Sequence, residues 1–216
     1  MLLLELVEAE QSVRFTFGRF NPPHIGHKKL LDAVGKGYIF PSHTYDSKKN
    51  PLMPKEKVGF MRSMFPQHAG NIVYKENAKN IIDIMKLLQK NGHKNVTMVV
   101  GDDRVASFDK LLKSYNGKEY QFNSITVESA GVRDPDADGV EGASASKVRQ
   151  AAATNDFATF KSMVPGGNNL AKAIFQATRE GLKVTELAEA EQTKPIVFLD
   201  MDGVIADFFS EYAKMA

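Results

Sequence analysis

The sequence predicts an α/β protein: a Rossmann-like parallel five-stranded sheet flanked by helices, then a C-terminal helix and the incomplete start of a second α/β module. Short apolar runs of strand character alternate with helical segments of roughly 10–15 residues, the pattern of βαβ units. Glycine and proline turns separate these segments. After Pro195 a fresh apolar strand begins, which predicts the second module. The predicted divisions are an acidic N-terminal segment, a main α/β domain, a helix with a linker, and the truncated module, at residues 1–12, 13–165, 166–194 and 195–216.

Each element follows from its apolar spacing and from the residues that break it. The first strand, residues 13–17, ends at Gly18, and the helix after it stops at Gly35. The other strands are predicted at residues 38–40, 72–74, 95–100 and 125–127. The other helices are predicted at residues 55–65, 80–90, 102–112, 144–153, 156–163 and 170–182, and the polar stretch 42–55 is predicted to be a loop. Ligands of such sheets bind beyond the carboxyl ends of the strands, so the first strand-to-helix turn is the expected site.

Composition limits the classes of function. The chain has 216 residues, with 28 Lys+Arg against 26 Asp+Glu, and this charge balance argues against a nucleic-acid partner. The absence of cysteine excludes disulfides, thiolate catalysis and cysteine-based zinc sites. No stretch approaches the ~18 apolar residues of a membrane helix, and the N-terminus lacks the basic region of a signal peptide. The expectation is a cytoplasmic protein with no membrane partner.

The turn after the first strand carries the most informative motif, G-R-F-N-P-P-H-I-G-H at residues 18–27. His24 and His27 open a helix whose free N–H groups and positive partial charge attract phosphate. Gly18 and Gly26 allow the backbone to approach a nucleotide closely. A metal pair or two surface histidines are the alternatives, and a zinc site would need further ligands. The pattern favours stabilisation of charge on a polyphosphate.

This motif resembles the signature of the HIGH-type nucleotidyltransferase superfamily, and the resemblance spans about residues 13–165. It implies a Mg²⁺-dependent enzyme in which an acceptor oxygen attacks the α-phosphorus of a nucleoside triphosphate and pyrophosphate leaves. It also implies that His24 and His27 contact the triphosphate and stabilise the pentavalent transition state. The backbone stretch expected to line the nucleotide is Phe17, Gly18, Arg19 and Phe20.

A second segment, S-A-S-K-V-R at residues 144–149, resembles the S-x-T-x-x-R element of that superfamily. The hydroxyls of Ser144 and Ser146 can cap a helix and bind phosphate oxygens, with Lys147 beside them. Arg149 lies one turn further on and can neutralise the β- and γ-phosphates. The sequence departs from the family pattern at Ser146, where Thr is usual, and at Ala143, where Ile is usual.

Further candidates have weaker signals. Gly101, Asp102 and Asp103 resemble a G-x-D element near the ribose and base, or else mark a strand end with Asp capping the next helix. Arg133, in the loop before the second motif, is either a substrate contact or a solvated loop residue. Weaker still are three cations on helical segments, Lys28, Lys55 and Arg62.

The resemblance favours ATP over CTP as the substrate. Arg149 follows the second hydroxyl by three residues, as in adenylyltransferases, and the opening motif is most similar to nicotinamide-mononucleotide adenylyltransferases. The acceptor is expected to be a phosphorylated small molecule. The chain has no Trp to stack on an aromatic ring, a role that Tyr45 could take. Two rivals are amino-acid activation, as in class I aminoacyl-tRNA synthetases, and a non-catalytic nucleotide-binding or virion-structural module.

The C-terminal segment P-I-V-F-L-D-M-D-G-V resembles motif I of haloacid-dehalogenase-type phosphatases. The resemblance implies that Asp200 is a nucleophile and Mg²⁺ ligand and that Asp202 is a general acid/base whose carbonyl also binds the metal. The later motifs of that family are missing, and a single strand with a helix cannot bury a core. We therefore expect a fragment of a longer protein without phosphatase activity.

Two octapeptides, at residues 5–12 and 186–193, match at six of eight positions. They are either two acidic helix ends or a duplicated linker that a protease processes. Their L-x-E-A sequences resemble the cleavage consensus of prohead proteases in tailed phages, which would place the protein in a host cytoplasm or a virion. A processing protease and a homo-oligomer are the remaining partner expectations.

Overall fold

A computed structural model describes residues 11–131 and 143–184, which belong to a unit that ends at Val184. Several sequence predictions lie outside these residues. They are Arg133, the second octapeptide with most of the first, and the phosphatase-like segment with Asp200 and Asp202.

Four parallel strands form the sheet of the described residues, in the order β2-β1-β3-β4. Their bounds are Ser12–Gly18 for β1, Tyr38–Pro41 for β2, Asn95–Val100 for β3 and Ser124–Ser129 for β4. Phe15 of β1 lies opposite Tyr38 on one side and Met98 on the other. The predicted Rossmann-like parallel α/β fold is therefore confirmed, with one strand fewer than predicted.

Seven α-helices accompany the strands in the described ranges: α1 Lys28–Val34, α2 Pro54–Met64, α3 Ile81–Lys90, α4 Val105–Tyr115, α5 Ala145–Ala153, α6 Phe157–Met163 and α7 Asn168–Leu182. Short 3₁₀ turns occur at Ile25–His27, Pro66–Asn71 and Asp102–Arg104. None of the helices described is both long enough and apolar enough to span a membrane.

The predicted strand at residues 72–74 was wrong. Ile72 makes a single parallel bridge with Ile39, and the Val73 N–H donates to the Ile39 carbonyl at 2.8 Å. The next side chain, Tyr74, stacks its ring on that of His43, with ring centroids 4.8 Å apart. Ile72 is buried, so its apolar side chain packs in the core and does not mark a further strand of the sheet.

Both faces of the sheet are covered, because successive side chains of a strand point to opposite faces. Val96, Met98 and Val100 of β3 pack on one side with α3, while Val99 packs on the other. That second side holds α1, α2 and the C-terminal helices α5, α6 and α7. This double burial is typical of parallel sheets.

Local sequence signals account for the helix starts. Asn80 caps α3 by accepting a hydrogen bond from the Asp83 N–H at 3.0 Å, and the Asp83 carboxylate accepts in return from the Asn80 N–H. Asp156 caps α6 by accepting from the Thr159 N–H at 3.0 Å. Pro54 begins α2, where its missing N–H costs nothing.

The chain passes from β1 to β2 on one side and later returns to place β3 on the other side of β1. The strand order reverses between β1 and β3, so their helix connections leave the sheet in opposite directions. A crevice opens at the carboxyl ends of these two strands. Gly18 of β1 and Gly101 after β3 lie at this crevice.

Candidate functional site

A cavity of about 590 Å³ lies at the carboxyl ends of β1 and β3. It is lined by the end of β1 and the turn after it, by the start of α1, by the segment after β3, and by the start of α5. The lining residues are Thr16, Phe17, Gly18, Arg19, Phe20, Asn21, His24, Gly26, His27, Lys29, Leu30, Lys49, Val100, Gly101, Asp103, Arg104, Ala130, Gly131, Ala145, Ser146 and Arg149.

The structure brings both sequence motifs to this one cavity. The candidates that line it are Phe17, Gly18, Arg19, Phe20, His24, Gly26, His27, Gly101, Ser146 and Arg149. Asp102, Ser144 and Lys147 are outside the lining. Ser144 caps α5 instead, because its hydroxyl oxygen accepts from the Lys147 N–H at 3.1 Å. Asp102 begins a 3₁₀ turn, and its neighbour Asp103 is the residue at the cavity.

The two motif histidines lie against each other. Their ring centroids are 3.7 Å apart, and His24 is only 1 % exposed. The His24 N–H donates to Nδ1 of His27 at 3.0 Å. With Nδ1 accepting this bond, the proton of a neutral His27 ring lies on Nε2. His27 can therefore donate a hydrogen bond from Nε2 to an anion in the cavity.

Gly26 allows the two motifs to approach each other. A Cβ at this position would lie 3.0 Å from the Ala143 carbonyl oxygen and 3.0 Å from the His24 ring. Ala143 immediately precedes the cap of α5. A side chain at position 26 would therefore press on both His24 and the second motif.

The turn after β1 is held in one conformation. Phe20 is buried with a φ of 45°, in the left-handed region that non-glycine residues rarely adopt, and its ring meets the His27 ring edge-on at 4.9 Å. The Asn21 side chain donates to the Leu52 carbonyl at 3.0 Å and accepts from the Leu52 N–H at 2.9 Å. Arg149 Nη1 donates to the Asn21 carbonyl at 2.9 Å. Such over-determined strain is typical of functional sites.

The lining is strongly cationic. Its charged side chains, the histidines aside, are the cations Arg19, Lys29, Lys49, Arg104 and Arg149 and the carboxylate Asp103. Burial lowers the pKa of the Arg149 guanidinium, and repulsion from Arg19 lowers it further, while Asp46 opposes this effect. Cationic side chains gathered in one lining favour an anionic ligand.

Lys49 was not among the predicted site residues, because it comes from the loop between β2 and α2. Asp46 fixes this loop: its Oδ1 accepts from the backbone N–H groups of Lys48 at 2.9 Å and Lys49 at 2.6 Å. The Asn50 side chain also binds Asp46, and these bonds hold the pKa of the Asp46 carboxyl well below its usual range. The D-S-K-K-N sequence is a recognisable Asx-turn signal that could have identified this lysine.

Thr16, Lys29 and Arg104 are among the other lining residues that were not predicted site residues. Thr16 is fully buried, and its Oγ1 has no hydrogen-bond partner in the part of the chain described. A buried hydroxyl in that state is costly unless a ligand or water satisfies it.

The weaker candidates have contacts away from the cavity. Lys28 pairs with Asp32 on its own helix, and Lys55 lies 3.3 Å from Glu76. Arg62 donates to the Ile72 carbonyl at 2.7 Å. Tyr45, considered as an aromatic platform, is 52 % exposed and is not part of the lining.

Among residues 11–131 and 143–184, no three His, Asp or Glu side chains gather into a set that could hold a metal ion. Asp103 is the carboxylate at the cavity. In comparisons with known proteins, the chain matches no family model and no curated protein sequence.

Proposed function

We propose that the protein is a nucleotidyltransferase that transfers AMP from ATP to a phosphorylated small-molecule acceptor and releases pyrophosphate. One observation carries this proposal. The His24–His27 pair and the Ser146–Arg149 pair, more than 110 residues apart in sequence, line one cationic cavity at the reversal of strand order. The motifs that resemble the HIGH-type superfamily therefore have the spatial relation that a shared triphosphate would require.

In the proposed reaction, an oxygen of the acceptor phosphate attacks the α-phosphorus of the nucleotide. The bond between the α-phosphorus and the oxygen that bridges to the β-phosphate breaks, and that oxygen leaves with the pyrophosphate. Because the acceptor is a phosphate dianion, the step needs no proton transfer.

The chain's contribution is then positioning and electrostatic stabilisation. His27 donates from Nε2 to a phosphoryl oxygen, as its bond from the His24 N–H allows. Arg149, held by the Asn21 carbonyl, neutralises charge that develops on the leaving pyrophosphate. Mg²⁺ enters as part of the nucleotide substrate, held chiefly by phosphate oxygens and water.

ATP is proposed rather than CTP because of the spacing of Ser146 and Arg149, which resembles that of adenylyltransferases. To test this, the protein is incubated with Mg²⁺, each of the four ribonucleoside triphosphates, and a panel of mononucleotides, sugar phosphates and phosphorylated alcohols. Pyrophosphate is the product measured.

We expect pyrophosphate release only when a triphosphate and an acceptor are both present, and fastest with ATP. Faster release with CTP would replace ATP by CTP in the proposal. Tight nucleotide binding without release for any pair would contradict the enzymatic function and favour a non-catalytic nucleotide-binding module.

A further inference from the structure

Lys57, on α2, is the fully buried lysine of the described residues, with 0 % of its surface exposed. Lysine is almost never fully buried unless it is paired with an opposite charge. No carboxylate of the described residues lies within ion-pair distance of its ammonium, and burial alone lowers the pKa of Lys57 to about 8. Burying a charged group costs free energy unless hydrogen bonds compensate for the lost water, so the Lys57 ammonium needs acceptor atoms around it.

Two backbone carbonyls receive the Lys57 ammonium. Nζ donates to the carbonyl of Arg19 at 2.8 Å and to the carbonyl of Ser42 at 2.7 Å. Arg19 is the first residue after β1 and lines the cavity, whereas Ser42 is the first residue after β2. The Ser42 N–H donates in turn to the Gly18 carbonyl at 2.8 Å. Lys57 therefore joins the carboxyl ends of two adjacent strands beneath the turn that carries the first motif.

The hydrogen bond from Lys57 to the Arg19 carbonyl also polarises a peptide group at the cavity. The Arg19 carbonyl belongs to the same peptide group as the Phe20 N–H, and Phe20 lies at the cavity in a left-handed conformation. A cation bound to a carbonyl polarises the peptide and strengthens its N–H as a donor. The buried ammonium is therefore bound to a peptide group whose two residues, Arg19 and Phe20, both line the cavity.

We propose that Lys57 is a positioning residue for the triphosphate, acting through the Arg19–Phe20 peptide and the carboxyl end of β2. This inference rests on the proposed function, because it assumes that the cavity binds a polyphosphate. Lys57 holds the turn after β1 in its anion-binding conformation and supplies charge through the backbone.

The test compares Lys57→Met, which keeps the length of the side chain and removes the ammonium, with Lys55→Met as a matched control. Lys55 lies on the same helix but is exposed at its surface, outside the cavity lining. Binding of inorganic tripolyphosphate and of ATP is measured by calorimetry at a temperature at which every variant is folded. Backbone amide exchange is measured on the free proteins.

We expect Lys57→Met to weaken tripolyphosphate binding by about tenfold or more, the effect of losing a charge-assisted hydrogen bond. Faster amide exchange should be confined to residues 18–24 and 41–43. Lys55→Met should behave as the unchanged protein does. Lys57→Gln, which keeps a neutral donor, should recover part of the amide protection but little of the affinity, and it serves as the second variant if Lys57→Met does not fold.

Unchanged tripolyphosphate affinity in a folded Lys57 variant would overturn the inference while leaving the proposed function standing. Faster exchange spread over α2 and α7, with affinity preserved, would make Lys57 a packing residue only. If the unchanged protein binds neither tripolyphosphate nor ATP, the proposed function fails, and the inference fails with it.

Discussion

At the scale of single residues, the site depends on a few bonds that set which atoms face the cavity. The most specific is the bond from the His24 N–H to His27 Nδ1, because it decides the tautomer of the His27 ring. His24 itself is buried against that ring and supports it. We expect His27 to be the donor whose loss affects the transition state most.

Replacing His27 by alanine should lower kcat for pyrophosphate release by about 10²- to 10³-fold, the usual effect of removing one preorganised donor. The KM for the nucleotide should change much less, because the bond to the phosphoryl oxygen strengthens as charge develops. Steady-state kinetics with the best nucleotide and acceptor pair provide the measurement.

His93→Ala is the matched control for His27→Ala. His93 precedes β3, at the amino-terminal edge of the sheet, and is not part of the cavity lining. Its variant should keep full activity. Equal rates for the His27 variant and the unchanged protein would remove His27 from the mechanism.

The motif residues could be foreseen because each motif is contiguous and has a chemical reason for its spacing. Lys28 and Lys29 show where that approach fails. They are adjacent, yet Lys29 lies at the cavity while Lys28 pairs with Asp32. Consecutive residues of a helix point in directions about 100° apart, and which of these directions faces the cavity depends on how α1 is placed in the fold.

At the scale of elements, the C-terminal helix α7 supports the site from outside it. Gly181 of α7 packs against the backbone of Pro51, in the loop whose next residue, Leu52, holds the Asn21 side chain. A Cβ at Gly181 would lie 1.9 Å from the Pro51 carbonyl oxygen, so the helix or the loop would have to move. Contact between α7 and the site loop therefore requires glycine here.

Gly181→Ala should lower the free energy of unfolding by about 1–3 kcal/mol, the usual cost of overpacking a close contact. Gly59→Ala is the matched comparison, because Gly59 is in the interior of α2 and a Cβ there would meet nothing within 4 Å. It should stabilise the protein by about 0.5–1 kcal/mol through helix propensity. Urea denaturation of both variants tests the pair, and equal effects would show that Gly181 is not a packing constraint.

A second link between elements depends on pH. His68, in the turn Pro66–Asn71, lies with its Nε2 2.8 Å from the Asp32 carboxylate of α1. Burial alone would raise the pKa of Asp32, but hydrogen bonds from Lys28 and His68 outweigh it and lower the pKa below its ordinary 3.8. The carboxylate therefore contributes stability above the ordinary pKa, and this contribution disappears as the pH falls through the lowered pKa of the folded state.

Asp32→Asn should remove that contribution. We expect the variant and the unchanged protein to differ most in unfolding free energy at neutral pH and to converge in acid below pH 3.8. A difference that persists unchanged into acid would mean that the carboxylate's charge is irrelevant at this link.

The alternation of strands and helices was foreseen because each element carries its own apolar period and its own caps. The strand predicted at residues 72–74 failed because three apolar residues do not specify a partner. Only the tertiary structure determines that the Ile72 side chain packs in the core. It also determines that the chain leaves the sheet at Tyr74, whose ring stacks on His43. Lys49 escaped prediction for a related reason, since its loop reaches the site only through the fold.

At the scale of the whole molecule, charge is nearly balanced but unevenly distributed. The formal net charge of the chain is +2, yet the cavity lining formed by the described residues has five lysine and arginine side chains and one carboxylate. The global balance explains why composition gave no indication of an anionic ligand. Only the positions of the charges in the fold reveal one.

The free energy of unfolding should depend on pH because of the buried Lys57 ammonium. Its pKa is lowered from 10.5 to about 8, so the unfolded chain binds more protons than the folded one between these values. Stability associated with Lys57 therefore rises as the pH increases from about 8 toward 10.5. At about 1.4 kcal/mol per tenfold change, the full effect is of the order of 3 kcal/mol.

The difference in unfolding free energy between the unchanged protein and Lys57→Met isolates this contribution, since other groups titrate alike in both. We expect the difference to move in favour of the unchanged protein as the pH is raised from 8 to 10. Lys55→Met should show no such trend. A difference that stays constant over this range would mean that burial does not lower the pKa of Lys57.

The central claim is that the cavity transfers a nucleotidyl group, and the fate of labelled phosphate tests it most directly. The protein is given an acceptor, Mg²⁺ and ATP labelled either at the α- or at the γ-phosphate, and the products are separated. We predict that the α-label moves to the acceptor and that the γ-label appears in pyrophosphate. The γ-label on the acceptor, or in inorganic phosphate before any pyrophosphate forms, would contradict nucleotidyl transfer.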